Sequence, residues 1–546
     1  MDKPFAITLD VRTSLANHTG TWRTERPVYV DGVPPCSHAC PAGEQVQQWL
    51  YQAEDGGYES AWRRLVEDNP FPAVMGRICY HPCESACNRG QLDTAVGINS
   101  VERFLGDQAI TEGWTLPEPA ASTGKRVLVV GAGPCGLSAA YHLRRLGHAV
   151  EIRDAGEQAG GMMRHGIPTF RLPRDVLDVE IARLLDLGVT LRLNTRVDDL
   201  QQAMCEGAFD AALLAMGAPL SKRAYIPAGQ SARILDALAV LGDVAEGARP
   251  QLGRTVIVYG GGNTAMDVAR TARRLGAEEA IVVYRRTQEQ MPADASEVEE
   301  ALAEGVRLHW LRTITQVTGT KLTVEKMRLD DEGRPHPTGE FEELSGDAVV
   351  LALGQDVDRD LLRTLPGLAV ENGVVEVGPD LMTTVPGVFA GGDVAPSTRS
   401  ATVAIGHGKQ AARSIDAWLR NRSVERVAAE PVAEEPVGYE RLNTWYFSDA
   451  PHAVRPRLEL ARRTDDFTEV VGGLDEQTAL YEARRCLSCG NCFGCDNCYG
   501  VCPDNAVKKL GDGAHSYEID YDYCKGCGLC VSECPAGAIV LVPEDK

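Results

Sequence analysis

The sequence predicts an α/β protein built on two doubly wound parallel sheets, with a helical segment before them and a small α+β segment after them. Three observations carry this. A strand–glycine turn–helix–strand unit occurs at KRVLVVGAGPCGLSAAYHLRRLGHAVEIRDA. The same unit recurs about 125 residues later at RTVIVYGGGNTAMDVARTARRLGAEEAIVVYRR, so two nucleotide-type sheets are expected. Of 17 cysteines, five lie between Cys36 and Cys87 and ten between Cys486 and Cys534.

The 546 residues suffice for several domains, and 44% hydrophobic with 24% charged residues describes an ordinary globular composition. No run of 18 apolar residues occurs, and MDKPFAITLD has no basic-then-apolar pattern, so neither a membrane span nor export is expected. The expected location is cytoplasmic. Lys+Arg 55 against Asp+Glu 77, a net −22, argues against nucleic acid as a partner. In a reducing compartment cysteines at two- and three-residue gaps mean metal rather than disulfides.

Residues 1–120 read as a helical, cysteine-bearing domain, with helix-like EQVQQWLYQAE and SAWRRLVED. Residues 121–245 and 372–422 read as the first dinucleotide domain and 246–371 as the second. A Pro/Glu/Ala-rich stretch (RVAAEPVAEEPVG) marks 423–482 as a linker, and 483–546 form the second cysteine module.

In the first unit Gly131, Gly133 and Gly136 stand in G-x-G-x-x-G spacing: for a tight turn, for close approach of backbone to a pyrophosphate, and for helix–strand packing. The helix N-terminus then faces the phosphates, and Asp154 at the next strand end can accept from a ribose. The second unit has Gly260, Gly262 and Ala265, but its second strand ends in Arg285-Arg286 where NAD would call for an acid. Guanidinium groups suit a 2′-phosphate, so NADP(H) is expected over NAD(H); the alternative is a solvated strand end.

In the C-terminal module Cys486, Cys489, Cys492, Cys495 and Cys498 are all two residues apart, so their register is ambiguous until the three-residue gap to Cys502-Pro503. Cys492, Cys495, Cys498 and Cys502 then match the bacterial ferredoxin run C-x2-C-x2-C-x3-C-P, which Cys524, Cys527, Cys530 and Cys534 repeat. The last cysteine of each run serves the other cluster. One [4Fe–4S] cluster is expected on Cys492, Cys495, Cys498 and Cys534, another on Cys524, Cys527, Cys530 and Cys502. Cys135 and Cys205 are read as small buried residues.

The segments CSHACPAG, NPFPAVMGRICYHPCESAC, GGMMRHGIPTFRLP, YGGGNTAMD, YRRTQEQMPA and FAGGDV, with VVGAGPCGLSAA, make residues 30–420 resemble the small subunit of glutamate synthase and the matching half of dihydropyrimidine dehydrogenase. The resemblance implies FAD in the first unit, with Gly161 and Gly392 beside it and Asp393 at its ribityl–phosphate region. Met163, Gly166 and Ile167 would lie near the isoalloxazine. NADPH would sit in the second unit, with Asn263 and Thr264 at its turn. His165 and His407 are read as structural rather than as proton donors. The related enzymes hold two [4Fe–4S] clusters in the N-terminal domain, but this chain has VYVDGVPP where their first C-x2-C lies. EARRCLSCG at 482–490 resembles that missing piece. Cys36, Cys87, Cys486 and Cys489 are therefore expected to share one cluster, and Cys40, Cys79 and Cys83 another, completed by Glu102.

A flavin is the physical requirement for coupling a two-electron nicotinamide to one-electron clusters. The chain is expected to be a flavoprotein with four [4Fe–4S] clusters, wiring NADP(H) to an external one-electron partner. The tailed form resembles subunits accompanying thiamine-dependent 2-oxoacid:acceptor (ferredoxin) oxidoreductases. Rivals are a glutamate synthase small subunit, a freestanding or bifurcating NADPH:ferredoxin oxidoreductase, and a tail that only docks. A disulfide reductase of the thioredoxin-reductase kind lacks support, because no C-x2-C falls in the central domain.

Overall fold

The protein is described by a computed structural model covering residues 18–222, 226–228, 232–422, 435–511 and 514–544. The first sheet is parallel, in the order Val388–Ala390, Ala211–Leu214, Arg126–Val130, Ala149–Arg153, Thr190–Arg192. Its central strands are runs of Val, Leu and Ala with almost no exposure, as expected when helices cover both faces. The helices Pro134–Arg145 and Ala401–Leu419 pack against each other over it. A Cβ at Gly408 would stand 2.4 Å from the Cys135 carbonyl oxygen, so this crossing requires glycine.

The second sheet is also parallel: Arg307–His309, Glu279–Val283, Thr255–Tyr259, Ala348–Leu351, Ile234–Asp236. Its edge strand Ile234–Asp236 and the helix Ala237–Ala245 come from residues assigned above to the first domain, so the second begins before residue 246. So short a strand, without a glycine turn after it, gave no signal in the sequence. An antiparallel ribbon of Arg312–Thr318, Lys321–Leu329 and Pro335–Ser345 extends this domain.

The N-terminal domain is helical as expected, with Val46–Ala53 inside the first segment read as a helix and Tyr58–Val66 overlapping the second, which it precedes by two residues. Helices Pro72–Ile78 and Ile98–Glu112 cross where Cβ atoms at Gly76 and Gly106 would lie 2.4 and 2.3 Å from the other helix's backbone. Residues 423–434 of the expected linker lie outside the described residues. The remainder is a strap bound to the N-terminal domain: Asn88 Nδ2 donates to the Val437 carbonyl at 2.8 Å, and Arg103 Nη1 to that of Val471 at 2.6 Å. The Gly97 N–H donates to Glu482 Oε1 at 2.6 Å.

The C-terminal module contributes the hairpin Val507–Lys509/Tyr517–Ile519 and strand Ile539–Pro543. That last strand pairs antiparallel with Glu25–Tyr29, in the register Tyr29↔Ile539 to Glu25↔Pro543. The module is thus not confined to 483–546. Among the described residues no helix is long and apolar enough to cross a membrane.

Candidate functional site

The first glycine turn is held by backbone. The Gly131 N–H donates to the Arg153 carbonyl at 2.8 Å, and at φ +111 a Cβ there would lie 2.4 Å from the Ala215 oxygen. Gly133 caps the helix Pro134–Arg145, and a Cβ on Gly136 would stand 1.9 Å from the Gly131 oxygen. Asp154 closes the turn, accepting the Ala132 N–H at 2.6 Å and the Gly156 N–H at 2.7 Å. Gly161, at φ +50, brings a second turn against the first, its would-be Cβ 2.8 Å from the Gly133 Cα. Met163 is buried beneath, and the Gly166 and Ile167 N–H groups donate to the Met162 carbonyl. The Ile167 carbonyl accepts Arg174 Nη2 at 2.6 Å. Across the cleft Gly392, φ +70, donates its N–H to His407 Nδ1 at 3.1 Å, so that imidazole orders the turn. Burial raises the Asp393 carboxyl, with Arg399 opposing, and burial lowers His165. Cys135 is buried beside Gly391, whereas Cys205, expected to be buried, is exposed on the helix Leu200–Gly207. That short amphipathic helix turns its outer face to solvent.

The second turn repeats this design. At Gly260 a Cβ would lie 2.1 Å from the Ala352 oxygen; Gly262 has open space around it and caps Asn263–Arg274; Ala265 is fully buried. Asn263 Oδ1 accepts the Asp294 N–H at 2.8 Å, so that side chain braces the turn from within, and Thr264 is half-buried beside it. Arg285 is exposed and Arg286 half-buried, and the buried Arg286 Nε has no hydrogen-bond partner among the described residues.

The cysteines gather in groups from distant segments. One small cavity is lined by Cys36, Cys87, Cys486 and Cys489, and another by Cys502, Cys524, Cys527 and Cys530. A third is lined by Cys492, Cys495, Cys498 and Cys534. In the C-terminal module each cavity takes its fourth cysteine from the other run. Burial and neighbouring thiols push Cys530 up to about 12, and burial pushes Cys489 up to about 11. Backbone N–H groups point at the sulfurs, Ala506 to Cys502 Sγ at 3.2 Å and Ala538 to Cys534 Sγ at 3.3 Å.

Cys40, Cys79 and Cys83 form the fourth group, close enough to influence one another and Glu102 electrostatically. Glu102 is buried, and Asn69 Nδ2 donates to its Oε1 at 2.9 Å and to Glu44 Oε1 at 3.0 Å. Glu44 is therefore a second buried carboxylate at this group that sequence reasoning missed; its position four residues after Cys40 was the available signal. Arg171 was missed too, although it lies within GGMMRHGIPTFRLP. Its Nη1 reaches Asp267 at 2.9 Å and its Nη2 makes a short ionic contact with Glu297, tying the first nucleotide domain to the second.

The chain matches the pyridine nucleotide-disulphide oxidoreductase family over residues 125–408, the 4Fe–4S domain II of dihydropyrimidine dehydrogenase over 11–114, and the 4Fe–4S dicluster domain over 491–538. It is 36% identical over 499 residues to the NADP(+)-dependent formate dehydrogenase subunit beta of Moorella thermoacetica, covering 83% of this chain and 70% of that one. It is 31% identical over 505 residues to the NADPH-Fe(3+) oxidoreductase subunit beta of Geobacter sulfurreducens, covering 83% and 75%. The glutamate synthase [NADPH] small chain of Azospirillum brasilense is 34% identical over 428 residues, covering 73% and 89%.

Proposed function

Because the chain belongs to the pyridine nucleotide-disulphide oxidoreductase family, we propose that it is the electron-transfer subunit of a larger oxidoreductase, joining NADP(H) to an external one-electron partner through FAD and four [4Fe–4S] clusters. The observation that carries this reading is the set of cysteine-lined cavities, three with four sulfurs each, in a chain that also carries two nucleotide-type sheets with glycine turns. Four cysteine sulfurs lining one small cavity are the donor set of an iron–sulfur site. When bound, FAD exchanges electrons in pairs with a nicotinamide and the clusters carry them singly.

The chain's own residues bind and orient. The Gly131–Gly136 turn and the N-terminus of Pro134–Arg145 offer backbone N–H groups to a pyrophosphate. Arg285 and Arg286 would hold a 2′-phosphate. Arg171, locked to Asp267 and Glu297, keeps the nicotinamide-binding domain in register with the flavin-binding one. Cys36, Cys87, Cys486 and Cys489 would hold one cluster, and Cys40, Cys79 and Cys83 with Glu102 a second. Cys492, Cys495, Cys498 and Cys534 would hold a third, and Cys502, Cys524, Cys527 and Cys530 a fourth.

Relatives that are beta subunits support a multi-subunit setting. Thiamine-dependent 2-oxoacid:acceptor oxidoreductases remain the proposed partner class, and a native complex bearing a formate- or glutamine-using subunit instead would replace it. Iron and flavin analysis of anaerobically prepared protein should give about 16 iron and one FAD per chain. A reproducible value near 8 iron would show that the N-terminal cysteines are not ligands.

A further inference from the structure

Strand Glu25–Tyr29 belongs in sequence to the N-terminal domain, yet it completes the sheet of the C-terminal module. It is anchored on several sides. Tyr521 donates its hydroxyl to the Pro27 carbonyl at 2.9 Å. Arg23 pairs with Glu544 through 2.6 and 2.7 Å contacts and donates to the Tyr521 and Cys524 carbonyls. The strand's last residue lines the cavity of Cys492, Cys495, Cys498 and Cys534, and the Tyr29 hydroxyl donates to Cys498 Sγ at 3.2 Å. The ring lies 6.4 Å from that of Tyr517, whose own hydroxyl is committed to Asp496 at 2.7 Å.

The two cavities of the module share one kind of contact. Each has a backbone N–H directed at its crossing cysteine, Ala506 to Cys502 and Ala538 to Cys534. Tyr29 adds a side-chain donor to one of them. A hydrogen bond to a cysteine sulfur favours the more negative, reduced state, because the donor dipole meets more charge there. We infer that Tyr29, supplied from some 470 residues away in the sequence, is a positioning residue that acts through Cys498 to raise the reduction potential of the cluster at Cys492, Cys495, Cys498 and Cys534. The phenol keeps its proton; one electron is gained or lost and only the strength of the hydrogen bond changes. The inference rests on the proposed ligand set.

Redox titration of the full-length protein, followed by electron paramagnetic resonance, tests it. In Tyr29→Phe one midpoint should fall so that the reduced-to-oxidised ratio at fixed potential drops about tenfold, about 59 mV for one electron, with iron content unchanged. Tyr521→Phe loosens the same strand without removing a hydrogen bond to Cys498 and should leave the midpoint of that cluster in place. Unchanged midpoints in an iron-replete Tyr29→Phe, or an equal shift in Tyr521→Phe, would overturn the inference. Should Tyr29→Phe lose iron, Tyr29→p-aminophenylalanine retains a weaker N–H donor: a smaller drop supports the inference and no drop overturns it. A wild-type protein without iron in this module would instead sink the ligand assignment itself.

Discussion

Just past the end of strand Glu279–Val283 come Arg285 and Arg286, and the buried Arg286 Nε lacks a hydrogen-bond partner among the described residues. A desolvated guanidinium N–H without a partner is costly, and a dianionic 2′-phosphate would satisfy it. Arg285→Ala with Arg286→Ala should therefore weaken NADPH by about 1.5–3 kcal/mol for each charge-assisted hydrogen bond removed, while NADH binding changes little. Equilibrium titration with both nucleotides measures this; a wild type that prefers NADH would refute the role. At this scale the glycines were legible because local backbone geometry demands that residue type. Asn263 was not, because its side chain serves Asp294, 31 residues on.

Among the elements, the helix Pro72–Ile78 matters most to the N-terminal cysteines, since Cys79 follows its last turn and Glu102 rides on the helix crossing it. Pro72 needs no donor partner, and the next two N–H groups, of Ala73 and Val74, donate to the two oxygens of Glu180 at 2.9 and 3.0 Å. Glu180 belongs to Arg174–Asp186, so one domain caps a helix of another. Burial pushes its carboxyl up to about 8, against roughly 4.3 in an unfolded chain. Between those values folding takes up a proton, so this group's contribution to stability falls as pH rises through the window. In Glu180→Gln the thermal midpoint should fall less steeply from pH 5 to pH 8 than in the wild type, as a pH series of thermal melts would show. An unchanged slope would place the titration elsewhere.

For the whole molecule the decisive feature is that both ends of the chain meet. Cys486 and Cys489 reach the cavity of Cys36 and Cys87, and Arg485 beside them donates to the Thr94 and Ala95 carbonyls and pairs with buried Glu482. A shared metal site would close a loop of about 400 residues and restrict the C-terminal module far more than its tether would. Cys486→Ser with Cys489→Ser should remove about four iron per chain and slow reduction of the module's clusters by NADPH. The eight cysteines of the two ferredoxin runs are untouched, so their resonance signals should persist. Full iron retention in the double variant would end the shared-site proposal.

Local sequence determined the nucleotide turns, the apolar parallel strands and the paired ferredoxin runs, because each is a pattern of a few neighbouring residues whose chemistry admits little else. That Cys36 and Cys87 line one cavity with Cys486 and Cys489 was expected from a resemblance. What only the tertiary structure decided depends on contacts between residues far apart in the chain. Strand Glu25–Tyr29 is too short and ordinary to announce its partner at Ile539–Pro543. Ile234–Asp236 carries no local strand signal and is defined by its pairing with Ala348–Leu351. Glu180 is a polar residue of no special local pattern, and Arg171 owes its role to Asp267 and Glu297 in the other nucleotide domain; burial between domains is what makes an ordinary carboxylate or guanidinium a structural tie.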